Sequence, residues 1–96
     1  MKATLHILNK PADHPRIRHC LDAIRSGDSL LLIESAVALC LHNEWLETLP
    51  AEVEIHALEP DVQGRGLTQY IKNPIQLIDF AGFVGITEQL ERVIHW

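Results

Sequence analysis

The chain has 96 residues, 47% of them hydrophobic but only 5% aromatic, so it is read as one domain, 1–96, with a core of Leu, Ile, Val and Ala. Eight Lys and Arg against 13 Asp and Glu give a net charge of −5, and the densest basic stretch is only Arg16, Arg18 and Arg25; this excludes the positive footprint of a direct nucleic-acid binder. No run approaches the ~18 apolar residues of a membrane span, and Asn9 and Lys10 cut the amino-terminal segment short of a secretory leader.

Thr4 to Leu8 is the first predicted strand. Pro11-Ala12-Asp13-His14-Pro15 breaks it, with Asp13 as the expected N-cap and Pro15 in the first turn of a helix. Ile17, Cys20, Leu21 and Ile24 then fall at i, i+3, i+4 and i+7 on one apolar face. Ser26-Gly27-Asp28 ends that helix, with Gly27 suited to a left-handed C-cap. Ser29 to Ile33 is an uninterrupted apolar run, as expected of a parallel strand buried on both sides. Ala36 to Leu41 reads as a short buried helix capped by Ser35. His42-Asn43 interrupts it, and Glu44 to Leu49 adds a further turn before Pro50.

Val53 to Leu58 is the third predicted strand. A short helical turn opens at Glu59-Pro60-Asp61 and closes at Gly64-Arg65-Gly66. Asn73-Pro74 turns the chain into a fourth strand, Ile75 to Ile78. Asp79 to about Ile94 reads as a final helix with Phe80, Phe83, Val84 and Leu90 inward; Gly82 and Gly85 imply close packing, or a break before Thr87. Strands alternating with helices predict a small three-layer, flavodoxin-like α/β fold with an open, mostly parallel sheet of about four to five strands. Ligands of such sheets sit beyond the carboxyl ends of the strands, here the rim of Asn9-Lys10, Glu34-Ser35, Glu59-Pro60 and Asp79.

Four stretches in this order resemble the DsrH/TusB family: Leu5-His6-Ile7-Leu8-Asn9-Lys10, Gly27-Asp28-Ser29-Leu30-Leu31-Leu32-Ile33-Glu34, the Ala57 to Leu67 segment with its Gly64-Arg65-Gly66, and Ile78-Asp79-Phe80-Ala81-Gly82-Phe83-Val84. The resemblance implies a heterohexamer with DsrE/TusD-like and DsrF/TusC-like subunits, working as a cytoplasmic persulfide relay that hands sulfur to a downstream carrier protein. The main sulfur-accepting cysteine would belong to the DsrE/TusD-like partner, and this chain would be a non-catalytic or auxiliary subunit. The expected pathway is 2-thiouridine formation at the tRNA wobble position. The alternatives are a DsrH-type subunit of dissimilatory sulfur oxidation, a stand-alone Cys20-dependent sulfur carrier, or a structural interaction module. Glu34-Ser35-Ala36-Val37 departs from the family's Asp-Gly-Val, which leaves the turn to Ser35 or Ala36.

Two cysteines without an export signal point to a cytoplasmic location and free thiols. Cys20 matches the first-helix cysteine of DsrH proteins, which makes it the candidate secondary persulfide site. A carrier needs a thiolate, and His19, Arg16 and Arg18 would favour one if the thiol reached the surface. The same position equally suits a buried packing cysteine. Cys40, among Ala38, Leu39 and Leu41, reads as core. Arg65 and Trp45 are the interface candidates, although Arg65 would also pair with Asp61 or Asp79 and Trp45 would also fill the chain's own core. Trp96 is expected to dock onto the fold, and His6 and His56 to lie half-buried in the sheet. Gly64-Arg65-Gly66 is not a phosphate loop, Ser35 lacks a hydrolase's His/Asp partners, and no zinc motif is present. The reading therefore includes no cofactor and no metal.

Overall fold

The four apolar runs form strands β1 (Thr4–Leu8), β2 (Ser29–Leu32), β3 (Glu54–Leu58) and β4 (Ile75–Ile78) in a computed structural model that describes residues 3–96. Met1 and Lys2, the start of the segment read above for a leader, lie outside the described residues. A fifth strand, β5 (Arg92–His95), occupies what was expected to be the end of the last helix. That helix stops at Gln89, and Leu90 is already extended at φ −98°, ψ 138°. Arg92 to His95 then pair with Thr4 to Ile7. β-Branched Val93 and Ile94 suit this ladder better than a helix end, and they cover an edge of β1 that would otherwise carry unpaired backbone groups.

All strand pairs are parallel, in the order β4-β3-β2-β1-β5. The first four strands step one way across the sheet and the fifth returns to the far side of β1. Right-handed crossovers accordingly place the early helices on one face and the last helix on the other. On the first face, α1 (Pro15–Ala23), two 3-10 helices (Glu34–Leu41 and Glu44–Thr48) and α2 (Glu59–Gly64) enclose Leu8, Leu30, Leu32, Ile55, Ala57 and Ile75. On the second, Phe83, Ile86 and Leu90 of and just beyond α3 (Phe80–Gln89) cover Leu5, Ile7 and Leu31. The alternation of neighbouring strand residues between the two clusters is the two-residue period of a strand. The expected three-layer α/β sandwich is thus the observed one, and β2 is buried on both faces.

Several local expectations need correction. The N-cap of α1 is His14, whose Nδ1 accepts the Arg16 N–H at 3.0 Å, rather than Asp13. The helix ends at Ala23, with Ile24 extended, so Gly27 (φ +92°) serves the following turn and not the cap itself. Residues 34–41 wind as a 3-10 helix, and Ser35 does not cap it. The turn after β2 is made by Glu34, which adopts φ +51°, and its N–H donates to Asp61 Oδ2 at 2.6 Å.

Phe80 and Val84 face outward, 64% and 40% exposed, because α3 lays only one narrow, partly buried stripe against the sheet. Gly82 is where that helix packs closely: a Cβ there would stand 2.5 Å from Ile78 Cγ1. No break precedes Thr87.

Candidate functional site

The carboxyl ends of the strands carry the rim predicted from the sequence, and the positions after β1, β2 and β4 are each held by a bond between a side chain and the backbone. After β1, Lys10 Nζ donates to Asn9 Oδ1 at 2.6 Å and to the Trp96 carbonyl at 2.8 Å, tying the β1 exit to the residue that follows β5. After β2, Asp61 at the start of α2 clamps Glu34. After β4, Asp79 caps α3 by accepting the Gly82 N–H at 2.7 Å. Asp61 and Asp79 are therefore engaged by backbone, and neither forms the expected pair with Arg65. Among the described residues Arg65 has no side-chain bond of its own. It projects exposed from the α2 exit, where Gly66 (φ +67°) turns the chain.

Cys20 lies on the inner face of α1 at 0% exposure, packed in the cluster of Ile17, Leu21, Ile24 and Cys40. Burial pushes its thiol up to about 12, so on the order of one molecule in 10⁵ carries the thiolate at pH 7. The basic neighbours in sequence do not counter this. Arg18 reaches Asp22 at 3.4 Å, and the Arg16 guanidinium lies 5.9 Å from the centroid of the Trp96 ring. Cys40 is also free and buried, and burial raises its thiol as well. Among the described residues no group of three or more His, Cys, Asp or Glu is placed to hold a metal ion.

Trp45, an interface candidate on sequence grounds, is instead turned inward at 7% exposure. Its indole N–H is shared between the carbonyls of Leu39 (3.0 Å) and His42 (2.9 Å), which staples the two 3-10 helices together. A donor-only indole needs such an acceptor when buried, and the chain supplies two. The ring is committed to this chain's own core.

The most connected polar group is one the sequence reading did not assemble. Asp28, just before β2, is buried beneath the amino end of β1. It accepts from Thr4 N–H (3.0 Å), Arg25 N–H (2.9 Å) and His6 Nε2 (2.9 Å). Burial opposes its charge, but the hydrogen bonds from Arg25, His6 and Thr4 outweigh that and hold its carboxyl below the ordinary value. On its other side, His6 Nδ1 is 3.1 Å from the Trp96 indole nitrogen, and the two rings lie nearly parallel, at 22°, with their centroids 6.1 Å apart. These groups line an open cleft of about 1180 Å³ between α1 and β5, with Ile24, Arg25, Arg92 and Ile94. The parallel register, which sets Leu5 opposite Ser29, brings Asp28 beside Thr4 and His6. Local sequence carries no signal for it.

Comparison with known proteins agrees with this architecture. Residues 10–93 match the model of the family described as DsrH like protein. Protein TusB of Escherichia coli K12 is 34% identical over 94 residues, covering 96% of this chain and 99% of the relative. Protein TusB of Pectobacterium parmentieri is 30% identical over the same coverage. The crystal structure of ychN protein from E. coli superposes with a TM-score of 0.83 over all of both chains at 16% identity, a likeness of fold alone. With its sheet order, its near-complete coverage of these relatives and the family match over residues 10–93, the chain belongs to the DsrH/TusB family.

Proposed function

We propose that this chain is an auxiliary subunit of a cytoplasmic sulfur-relay complex serving 2-thiouridine formation at the tRNA wobble position, with DsrE/TusD-like and DsrF/TusC-like chains as partners. The observation that carries the auxiliary role is the state of Cys20, at 0% exposure with its thiol pushed up to about 12. A persulfide acceptor works as an exposed thiolate, so the working cysteine is assigned to a partner. Similarity to TusB proteins along 96% of the chain supports the choice of complex. Assembly is supported by the outward apolar side chains of Phe80 and Val84 on α3, together with Val93 on β5. Arg65, exposed and without a side-chain partner among the described residues, suits the polar rim of such a contact.

The test is co-expression of this chain with DsrE/TusD-like and DsrF/TusC-like chains, sizing of the product, and measurement of wobble 2-thiouridine in cells lacking the endogenous subunit. A stable complex with restored thiolation is expected. Failure to co-purify with either chain, in the presence of a complex between the other two, overturns the reading.

A second reading rests on a free cysteine in the first helix, the position at which DsrH proteins carry one. Here Cys20 is a secondary persulfide site in oxidative sulfur metabolism and α1 must lift to expose it. The Cys20 thiolate would attack the outer sulfur of a donor persulfide, the S–S bond would break, and the donor would leave as a thiolate. Mass spectrometry of the assembled complex after incubation with a persulfide donor decides it. A gain of about 32 Da on Cys20 supports the carrier, whereas an unmodified Cys20 beside a modified partner cysteine excludes it.

A further inference from the structure

The indole N–H of Trp96 can only donate, so His6 Nδ1, 3.1 Å away, must be an unprotonated acceptor. The proton of the neutral ring therefore sits on Nε2 and is donated to Asp28 Oδ2 at 2.9 Å. A second proton has only Nδ1 to occupy, and there it would face the indole N–H, donor against donor. At the same time the ring would gain an ion pair with Asp28, whose carboxyl stays ionised because its hydrogen bonds hold it below the ordinary value.

We propose that His6 is a proton-operated latch on Trp96: the neutral ring holds the indole, and the protonated ring releases it while tightening its grip on Asp28. The charged residues that share the cleft with His6 are Asp28 from the turn before β2, Asp22 and Arg25 at the end of α1, Glu52 ahead of β3 and Arg92 on β5. Of these, among the described residues, Asp28 is the charged one that bonds to the imidazole. Arg16 occupies the indole ring at 5.9 Å, so a positive His6 places a second cation against a ring that already holds one. What is freed is the side chain that closes one wall of the cleft. The main-chain hold of that residue on the sheet, through its N–H to the Ile7 carbonyl (2.9 Å) and its main-chain oxygen to Lys10 Nζ, does not involve His6 and persists. The motion is therefore a swing of the indole rather than loss of β5.

The two tryptophans make the test internally controlled. Both indole N–H resonances of the ¹⁵N-labelled full chain are followed by NMR from pH 8 to pH 5, together with the His6 ring nitrogens. The Trp96 N–H is expected to move upfield and to lose at least tenfold of its protection from exchange with water, on the same midpoint as His6 protonation. The Trp45 N–H, bonded to two carbonyls, is expected to stay fixed. His6→Gln, which does not titrate, is expected to abolish the Trp96 transition. Protonation of His6 with no change at Trp96 overturns the proposal, as does a His6 that stays neutral until the fold is lost. The wild-type titration alone decides between these outcomes, so the conclusion stands even where His6→Gln fails to fold.

Discussion

Replacing Asp28 by alanine removes one carboxylate and orphans three donors: the backbone N–H groups of Thr4 and Arg25 and the Nε2–H of His6. The bonds to Thr4 and His6 are buried, while Arg25 is partly open to water, which can replace its lost acceptor. A buried donor left without a partner costs about 1–3 kcal/mol, so two of them set an expected loss of about 4 kcal/mol. A chain of this length holds only about 5–14 kcal/mol in total, so the loss is a large share of it, and Tm should fall by more than about 15 °C.

Urea unfolding followed by circular dichroism measures the difference. Asp28→Asn is expected to fall between wild type and alanine at about 2–3 kcal/mol, since one amide oxygen still accepts from Thr4. The pH dependence follows from the depressed carboxyl of Asp28. A group whose folded pKa is lowered stabilises fully above its unfolded value and loses that contribution as pH falls through the folded one. The wild-type advantage over Asp28→Asn that comes from this charge should therefore close only below about pH 4. A cost for Asp28→Ala under about 1 kcal/mol would refute the reasoning, because the carboxylate would then not be the organising acceptor of this end of the sheet.

Three further outcomes are expected. Cys20 and Cys40 should resist a thiol-specific reagent in the native chain at pH 8 and react together on unfolding in urea, because both are buried with raised thiol pKa values; fast native labelling of Cys20 would show that α1 opens readily. Gly85→Ala should stabilise α3 by up to about 1 kcal/mol, whereas Gly82→Ala should destabilise the chain by about 1–2 kcal/mol, since the new methyl meets Ile78 Cγ1 at 2.5 Å while the site at Gly85 is open; equal midpoints in urea for the two variants would contradict this. Glu34→Gly should raise the urea midpoint by the equivalent of about 0.5–1 kcal/mol by relieving a non-glycine residue held at φ +51°, and a lowered midpoint would mean that the Glu34 side chain contributes more than its backbone costs.

The apolar period alone determined most of the architecture. A run such as Ser29 to Leu32 has no polar face to turn to water, which suits the interior of a parallel sheet covered on both sides. The stripe of Ile17, Cys20, Leu21 and Ile24 has one face to bury and lies on the core side of α1 and its exit. The placement of Cys20 on that stripe was legible in the same way, and so was the rim at the carboxyl ends of β1 to β4. What the tertiary structure decided are the features whose causes lie far apart in the chain. β5 exists because β1 offers a free edge 88 positions earlier, counting from Thr4 to Arg92, which pair in the ladder; four residues at the end of an apolar helix pattern do not announce that. Trp45 turned inward because two carbonyls at the junction of the 3-10 helices accept its N–H. Glu34 took the left-handed turn because Asp61, 27 residues later, accepts its amide. The join of His6, Asp28 and Trp96 spans almost the whole chain. Periodicity reports which side of an element is apolar; it carries nothing about which distant donor meets which acceptor, and that pairing is set only when the strands take their order and register.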